Sequence, residues 1–316
     1  MKRFLYAQGS KIISIGFLII FSVYVVLNRE DFNSLFDMNP LVYISLVLLV
    51  SVSIVLNGIA MKLLTRPFKL NLSVKDSIKV STVSTVGNFF APAGGGIGVR
   101  ALYLKKKHKL NYRDYVSVLV VNYIYVFLIS SLVGVIALFI ISNGSAQSSA
   151  LYVFFFSLLV ISGGLLVSPS VVNSAVLKRI IKNTKITESL SLLTKGLSIS
   201  NKDSGLKQNI IAVTILNLAV SFSVTFLILY SLNFTVSGWA VLLMSVLSSL
   251  SLFINITPAN LGIKESVLLF SSSVVGLDTS QVLSFAIIER TVQFLAMTIL
   301  WLYLFKLSST GSKLLN

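Results

Sequence analysis

Long apolar runs alternate with short polar breaks along almost the whole chain. Runs approaching the ~20 residues that a helix needs to cross a bilayer lie at about 12–28, 41–61, 115–141, 150–168, 210–231, 237–256 and 281–305. Two further pieces are too short for a crossing. The segment 80–90 with its return arm 97–104, and the return arm 263–276, rise only ~12 to 21 Å each as helix, against ~30 Å of hydrocarbon. They read as half-helices of re-entrant hairpins. The run 237–256 is long enough to be read either as a span or as the first arm of the second hairpin.

The breaks between these short arms are similar. One is Asn88-Phe-Phe-Ala-Pro-Ala-Gly-Gly-Gly-Ile-Gly-Val-Arg100, and the other is Asn255-Ile-Thr-Pro-Ala-Asn-Leu-Gly-Ile-Lys-Glu265. Pro92, Pro258 and Gly262 mark the hairpin breaks. A Pro/Gly break beside charge is costly at membrane depth unless it lines a polar cavity, so paired breaks point to a substrate site between two repeats.

Composition agrees with the pattern. The 316 residues are 55% hydrophobic and 11% charged, with a mean hydropathy of +0.90, which describes a polytopic membrane protein. With no cysteine and a single His108, disulfides, thiol catalysis and the usual Cys/His zinc sites are excluded. No metal, cofactor or catalytic residue is expected. Lys2, Arg3 and Lys11 before the run 12–28 resemble a signal peptide, but no small-x-small cleavage site follows Leu27, so the run is read as an uncleaved first helix.

Charge orients the chain, because cytoplasmic loops carry the Lys and Arg excess. With both termini inside, segments 1–11, 62–113, 169–209 and 306–316 are cytoplasmic and hold 23 of the 26 Lys and Arg. Helix 41–61 then runs inward, the Pro92 hairpin dips from the cytoplasmic face, and helix 115–141 runs outward. The second half reverses this order through 210–231, the hairpin 237–276 and 281–305. The expected fold is therefore an all-α polytopic membrane helix bundle: a single integral domain, 1–316, with inverted repeats at about 41–141 and 210–306. A cytoplasmic linker at about 170–208 joins them, and the setting is the inner (cytoplasmic) membrane. Inverted repeats with broken helices are the architecture of alternating-access carriers.

The two motif blocks, each followed some two dozen residues later by a helix, resemble the lysylphosphatidylglycerol synthase transmembrane family. This is the flippase-like domain also found in the multiple peptide resistance factors. The likeness runs from about residue 10 to 306, and the second block with Glu289-Arg290 is its more specific half. The resemblance implies movement of a polar-headgroup lipid between leaflets, or a supporting role in lipid-linked glycan pathways. Where the family often has a Glu-Arg pair after the first hairpin, this chain has Asn122-Tyr123. The aminoacyl-transfer domain of fused members has no counterpart in these residues, so lipid aminoacylation is not expected.

Charged residues at membrane depth are the leading functional candidates. Each costs ~2.5 to 3.5 kcal/mol at mid-bilayer on insertion scales, so Lys264, Glu265, Glu289 and Arg290 must find partners. The preferred pairing is Glu265 with Arg290, leaving Lys264 or Glu289 for a cavity or an interface. Arg100, Lys264 and Arg290 are candidate phosphate donors. The alternatives are an interhelical salt bridge for Glu265 and Arg290 and an interfacial anchor for Arg100. Gly94, Gly95 and Gly96 could offer N–H groups to an anion or simply form a tight tip. Asn57, Asn122, Tyr123, Tyr125 and Asn217 could line the same cavity or glue helices.

The basic run Lys105–Lys109 either attracts anionic headgroups, at about 1 kcal/mol per residue, or sets topology. The +16 charge is spread over loops, which points to membrane lipids as partners and not to nucleic acid. Oligomeric state is not legible. Three functions follow: a lipid flippase, an ion-coupled transporter of a small anionic solute, or a membrane glycosyl- or phosphotransferase using Glu30 and Asp31. The last has too few clustered carboxylates to hold a metal.

Overall fold

The computed structural model describes residues 38–91, 94–141, 144–168, 184–254 and 256–306. The helix expected at 12–28, the pair Glu30 and Asp31, Pro92 and the segment 307–316 lie outside them. The described residues form helices and connections, with no strand among them.

Helix α1 (Pro40–Thr65) starts where Asn39 accepts the Leu41 N–H through Oδ1 at 2.9 Å, with Pro40 pre-set for the first turn. It ends in a short turn carrying Pro67 and a left-handed Lys69. Helix α2 (Val74–Phe90) is capped by Ser73 and stops at Ala91, which is extended as the residue before a proline must be. Gly94 takes a φ of 71°, a conformation glycine adopts without strain, and α3 (Gly95–His108) returns from it. Helices α4 (Tyr112–Ile141), α5 (Ala146–Val167), α6 (Thr184–Lys202) and α7 (Ser204–Ser231) follow. The second hairpin consists of α8 (Gly238–Ser251), an irregular stretch with two short turns, and α9 (Ile263–Val275). Helix α10 (Thr279–Lys306) closes the described chain.

Among the described residues five helices, α1, α4, α5, α7 and α10, are long and apolar enough to cross a membrane. At ~1.5 Å per residue the shortest, α5 with 22 residues, rises ~33 Å. Over the run 237–256, α8 has 14 residues and runs into a short turn, and α9 beyond the break has 13, about 20 Å each. The two halves share one element order, a long helix, a hairpin of short arms and another long helix. Large apolar side chains such as Leu41, Phe139, Val153 and Phe156 point outward with more than half of their surface exposed, as expected where the surroundings are lipid.

Two apolar clusters hold the bundle. One joins the N-terminal part of α1, the C-terminal parts of α4 and α7, the start of α5, and α8 to α10. The other joins the C-terminal part of α1, hairpin arms α2 and α3, and the N-terminal parts of α4 and α7 with α6. The hairpins meet between them: the Pro258–Asn260 turn packs on α2, and the Phe89 and Phe90 rings lie 5.7 and 6.5 Å from Phe294 of α10.

The segment expected as a linker contains α6, which is packed along α4. Leu197 is fully buried, Lys195 pairs with Asp114 at 2.7 Å, and Ser117 donates to the Leu192 carbonyl at 2.9 Å. Gly196 permits the approach, since a Cβ there would lie 2.8 Å from the Ser117 carbonyl oxygen. The Ser/Lys/Asn-rich composition conceals one apolar face, which packs chiefly on α4 and also meets α7 and α5.

Candidate functional site

The second hairpin is broken by backbone that only a few residues tolerate. Ala259, Asn260 and Gly262 all have positive φ, at 51°, 56° and 81°. Asn260 stabilises the break by donating Nδ2 to the Ser251 carbonyl at 2.9 Å, which ties the end of α8 to the start of α9. Glu265 reaches back from the first turn of α9 and accepts the Gly262 N–H at 2.9 Å, satisfying a donor that a helix start leaves open.

The other Glu265 oxygen accepts from Arg290 on α10 at 2.5 Å, and Arg290 also donates to the Asn260 carbonyl at 3.2 Å. Beside it, Lys264 pairs with Glu289 at 2.5 Å. Adjacent residues on a helix point about 100° apart, so the two pairs cross between α9 and α10 on neighbouring faces. The expected Glu265–Arg290 pair is present. Lys264 and Glu289, either of which was expected to serve a cavity or an interface, form an ion pair with each other and both line the cavity described below. These buried pairs clasp the second hairpin to α10, and breaking either one strands a charge.

The first hairpin is stitched differently. Asn88 Oδ1 accepts the Gly96 N–H at 3.0 Å, Ser84 donates to the Gly96 carbonyl at 3.2 Å, and Arg100 donates from Nη2 to Ser84 Oγ at 2.7 Å. A Cβ on Gly96 would sit 2.1 Å from the Ser84 carbonyl oxygen, so this glycine sets how closely α2 and α3 pack. The Ile97 and Gly98 N–H groups return to the Gly94 carbonyl, so Gly94, Gly95 and Gly96 form a tight tip, in which the Gly96 N–H is the one taken by Asn88.

Between the hairpins lies a cavity of about 280 Å³, room for ~9 waters at liquid density. Its walls carry Asn57, Asn88, Arg100, Asn122, Tyr123 and Asn217, with Lys264, Glu289 and Gln293 on the side of the second hairpin. Ser53 donates to Asn217 at 2.7 Å and fixes one wall. Phe253 packs edge-on against Tyr123 with ring centroids 4.5 Å apart and bounds another. Asn57, Asn122, Tyr123 and Asn217 all line this cavity, and Asn217 also joins α7 to α1 through Ser53. Tyr125 does not line it; buried, it lies 3.3 Å from the Ser200 hydroxyl of α6.

Asn88 and Gln293 were not singled out in the sequence. Gln293 was legible in principle, standing one helical turn after Glu289 on the same face. A larger hollow of about 530 Å³ between the end of α1 and the start of α7 is walled by the exposed Arg66, Lys202 and Asp203. It lacks convergent buried polar groups, and the cavity between the hairpins is the candidate site. No group of three or more His, Cys, Asp or Glu that could hold a metal occurs among the described residues.

A family model described as the lysylphosphatidylglycerol synthase TM region matches residues 11–300. The chain belongs to this family. As a member of the lysylphosphatidylglycerol synthase TM region family it is an integral membrane protein, and both hairpins with their ion pairs and cavity fall inside the matched span. No curated protein matches the chain.

Proposed function

We propose that this protein moves a polar-headgroup lipid between the leaflets of the cytoplasmic membrane, with the headgroup held between the two broken hairpins. The observation that carries the proposal is the cavity itself. A polar chamber walled by both hairpins, with a buried Lys264–Glu289 pair, lies between two apolar clusters of a lipid-facing bundle. Buried charge at such depth is expensive unless it serves a pathway. The repeated order of helix, short-armed hairpin and helix supports inverted repeats, re-entrant hairpins and alternating access around a fixed site. The Lys and Arg distribution supports cytoplasmic termini. No catalytic step is assigned to this domain.

The Lys105–Lys109 run is read as a landing surface for anionic headgroups at the cavity mouth. Within it Lys107 is committed to Asp76, and Lys105 sits 4.1 Å over the Tyr112 ring. Recruitment therefore falls mainly to Lys106 and Lys109.

The test is leaflet exchange of fluorescent phospholipids and polyprenyl-phosphate lipids in proteoliposomes. The expected result is exchange of at least one headgroup class above empty liposomes, collapsing in a folded Lys264→Met variant. No exchange of any lipid would overturn the proposal and favour an ion-coupled transporter of a small solute.

A further inference from the structure

We infer that the cavity seats a net anionic headgroup, with its phosphate on Arg100, and that it disfavours net cationic headgroups. This deepens the translocation reading and uses the same site.

The charges on the cavity wall do not balance. Lys264 and Glu289 cancel, and the Glu265–Arg290 pair behind them is closed on itself. Arg100 is the remaining charge, and no carboxylate pairs with it among the described residues. A guanidinium does not escape this by deprotonation, since it stays charged in proteins.

The second arginine of the site provides the comparison. Arg290 serves the fold, and it has a carboxylate at 2.5 Å and a backbone carbonyl at 3.2 Å. Arg100 has one neutral hydroxyl, Ser84 Oγ at 2.7 Å, and its Nε is buried with no acceptor. Arg290 also has an unpartnered Nε, but its charge is already neutralised by Glu265.

Arg100 is held in place as well as unpaired. The Ser84 hydroxyl that accepts from it donates onward to the Gly96 carbonyl, so the first hairpin's own stitching orients the guanidinium. Its remaining N–H groups are free to form the forked, charge-assisted bonds that a phosphate accepts. Asn122 and Tyr123 on the same cavity wall are neutral and carry donors of their own, so they can meet further phosphate oxygens without cancelling the charge. An interfacial anchor would extend its charge to water, whereas Arg100 turns its Nη2 to buried Ser84 and lines the cavity. A headgroup bearing an amine and net positive charge would bring a second cation beside Arg100 and Lys264, in a medium that screens poorly.

The test is binding to the purified full-length chain, read as the concentration dependence of its thermal unfolding midpoint. The probes are short-chain dihexanoyl lipids that differ only in headgroup: phosphatidic acid (anionic), phosphatidylethanolamine (zwitterionic) and ethylphosphocholine (cationic), with inorganic phosphate alongside. The expected result is at least tenfold tighter binding of phosphatidic acid than of ethylphosphocholine. Arg100→Gln should bring that ratio close to one, and Arg100→Lys should keep the preference with weaker affinity. Equal binding of the three lipids by the unaltered protein would overturn the inference even if Arg100→Gln does not fold. So would an undiminished preference in a folded Arg100→Gln.

Inorganic phosphate binding as tightly as phosphatidic acid would support the anion seat and make its occupant a soluble phosphate. Leaflet exchange of the corresponding long-chain lipids separates the two readings. Anion-selective binding without any exchange leaves the seat standing and removes the translocation, while exchange blind to headgroup charge does the reverse.

Discussion

At the scale of single residues, neighbouring positions with the same chemistry have opposite uses. Gly96 and Gly98 sit two residues apart in one motif, on roughly opposite faces of α3. A Cβ on Gly96 would meet the Ser84 carbonyl oxygen at 2.1 Å, whereas one on Gly98 meets nothing within 4 Å. Gly96→Ala should therefore destabilise by at least 1 to 3 kcal/mol, roughly the cost of overpacking. Gly98→Ala should be neutral or stabilising by about 0.5 to 1 kcal/mol through helix propensity. Thermal unfolding in detergent distinguishes the two. Glu265 is 3% exposed and divides its oxygens between the Gly262 N–H and Arg290. Glu265→Ala should cost on the order of 3 to 5 kcal/mol because it leaves Arg290 buried without a countercharge. Adding Arg290→Met should return part of that loss, and a double-mutant cycle reads the coupling.

At the scale of elements, the arms of the first hairpin are fastened at their open end by a small polar cluster. Ser73 caps α2 and donates to Asp76, while Lys107 of α3 donates to both Asp76 and Tyr103. Burial pushes the Asp76 carboxyl up, but the hydrogen bonds from Lys107 and Ser73 outweigh it and hold the group below its ordinary 3.8. A depressed carboxylate stabilises fully above its ordinary value and loses that contribution as pH falls through the depressed one. Protection of 74–80 and 100–108 against hydrogen exchange should therefore hold at pH 6 and weaken near pH 3, beyond the intrinsic pH effect. Asp76→Asn should abolish that dependence. Both partners are partly exposed, so the fastening is worth less than about 1 kcal/mol. Helix α6 depends on fit more than on charge. Gly196→Val should unseat it from α4, and faster proteolysis near 184–202 would register the change.

At the scale of the whole molecule, the cavity exists because two apolar clusters pack above and below a polar layer contributed by α1, α2, α3, α4, α7, α8, α9 and α10. The chain has no cysteine, so single introduced thiols report water access directly. Asn57→Cys and Asn217→Cys should react with a membrane-impermeant maleimide from at least one side. Phe139→Cys, at a position 81% exposed on the outer apolar surface, should remain unreacted in a bilayer. Equal reactivity at all three would contradict a polar cavity within a lipid-facing bundle.

The membrane class, the five long helices among the described residues, the breaks between the short helices and the family were all legible in the sequence. Each follows from a local quantity: the length of an apolar run, a Pro or Gly that stops a helix, or a motif read along one strand of residues. The Glu265–Arg290 pair was also accessible, because a buried charge demands a partner and few were on offer. What only tertiary structure decided is non-local. Whether Lys264 meets Glu289, whether Gly96 serves a ligand or a close contact, and whether 184–202 is a tether or a docked helix all depend on a surface from a distant segment. The same holds for Arg100: the sequence contains the arginine, but only packing determines that no carboxylate among the described residues reaches it, because desolvation and pairing are properties of the space that several helices enclose together.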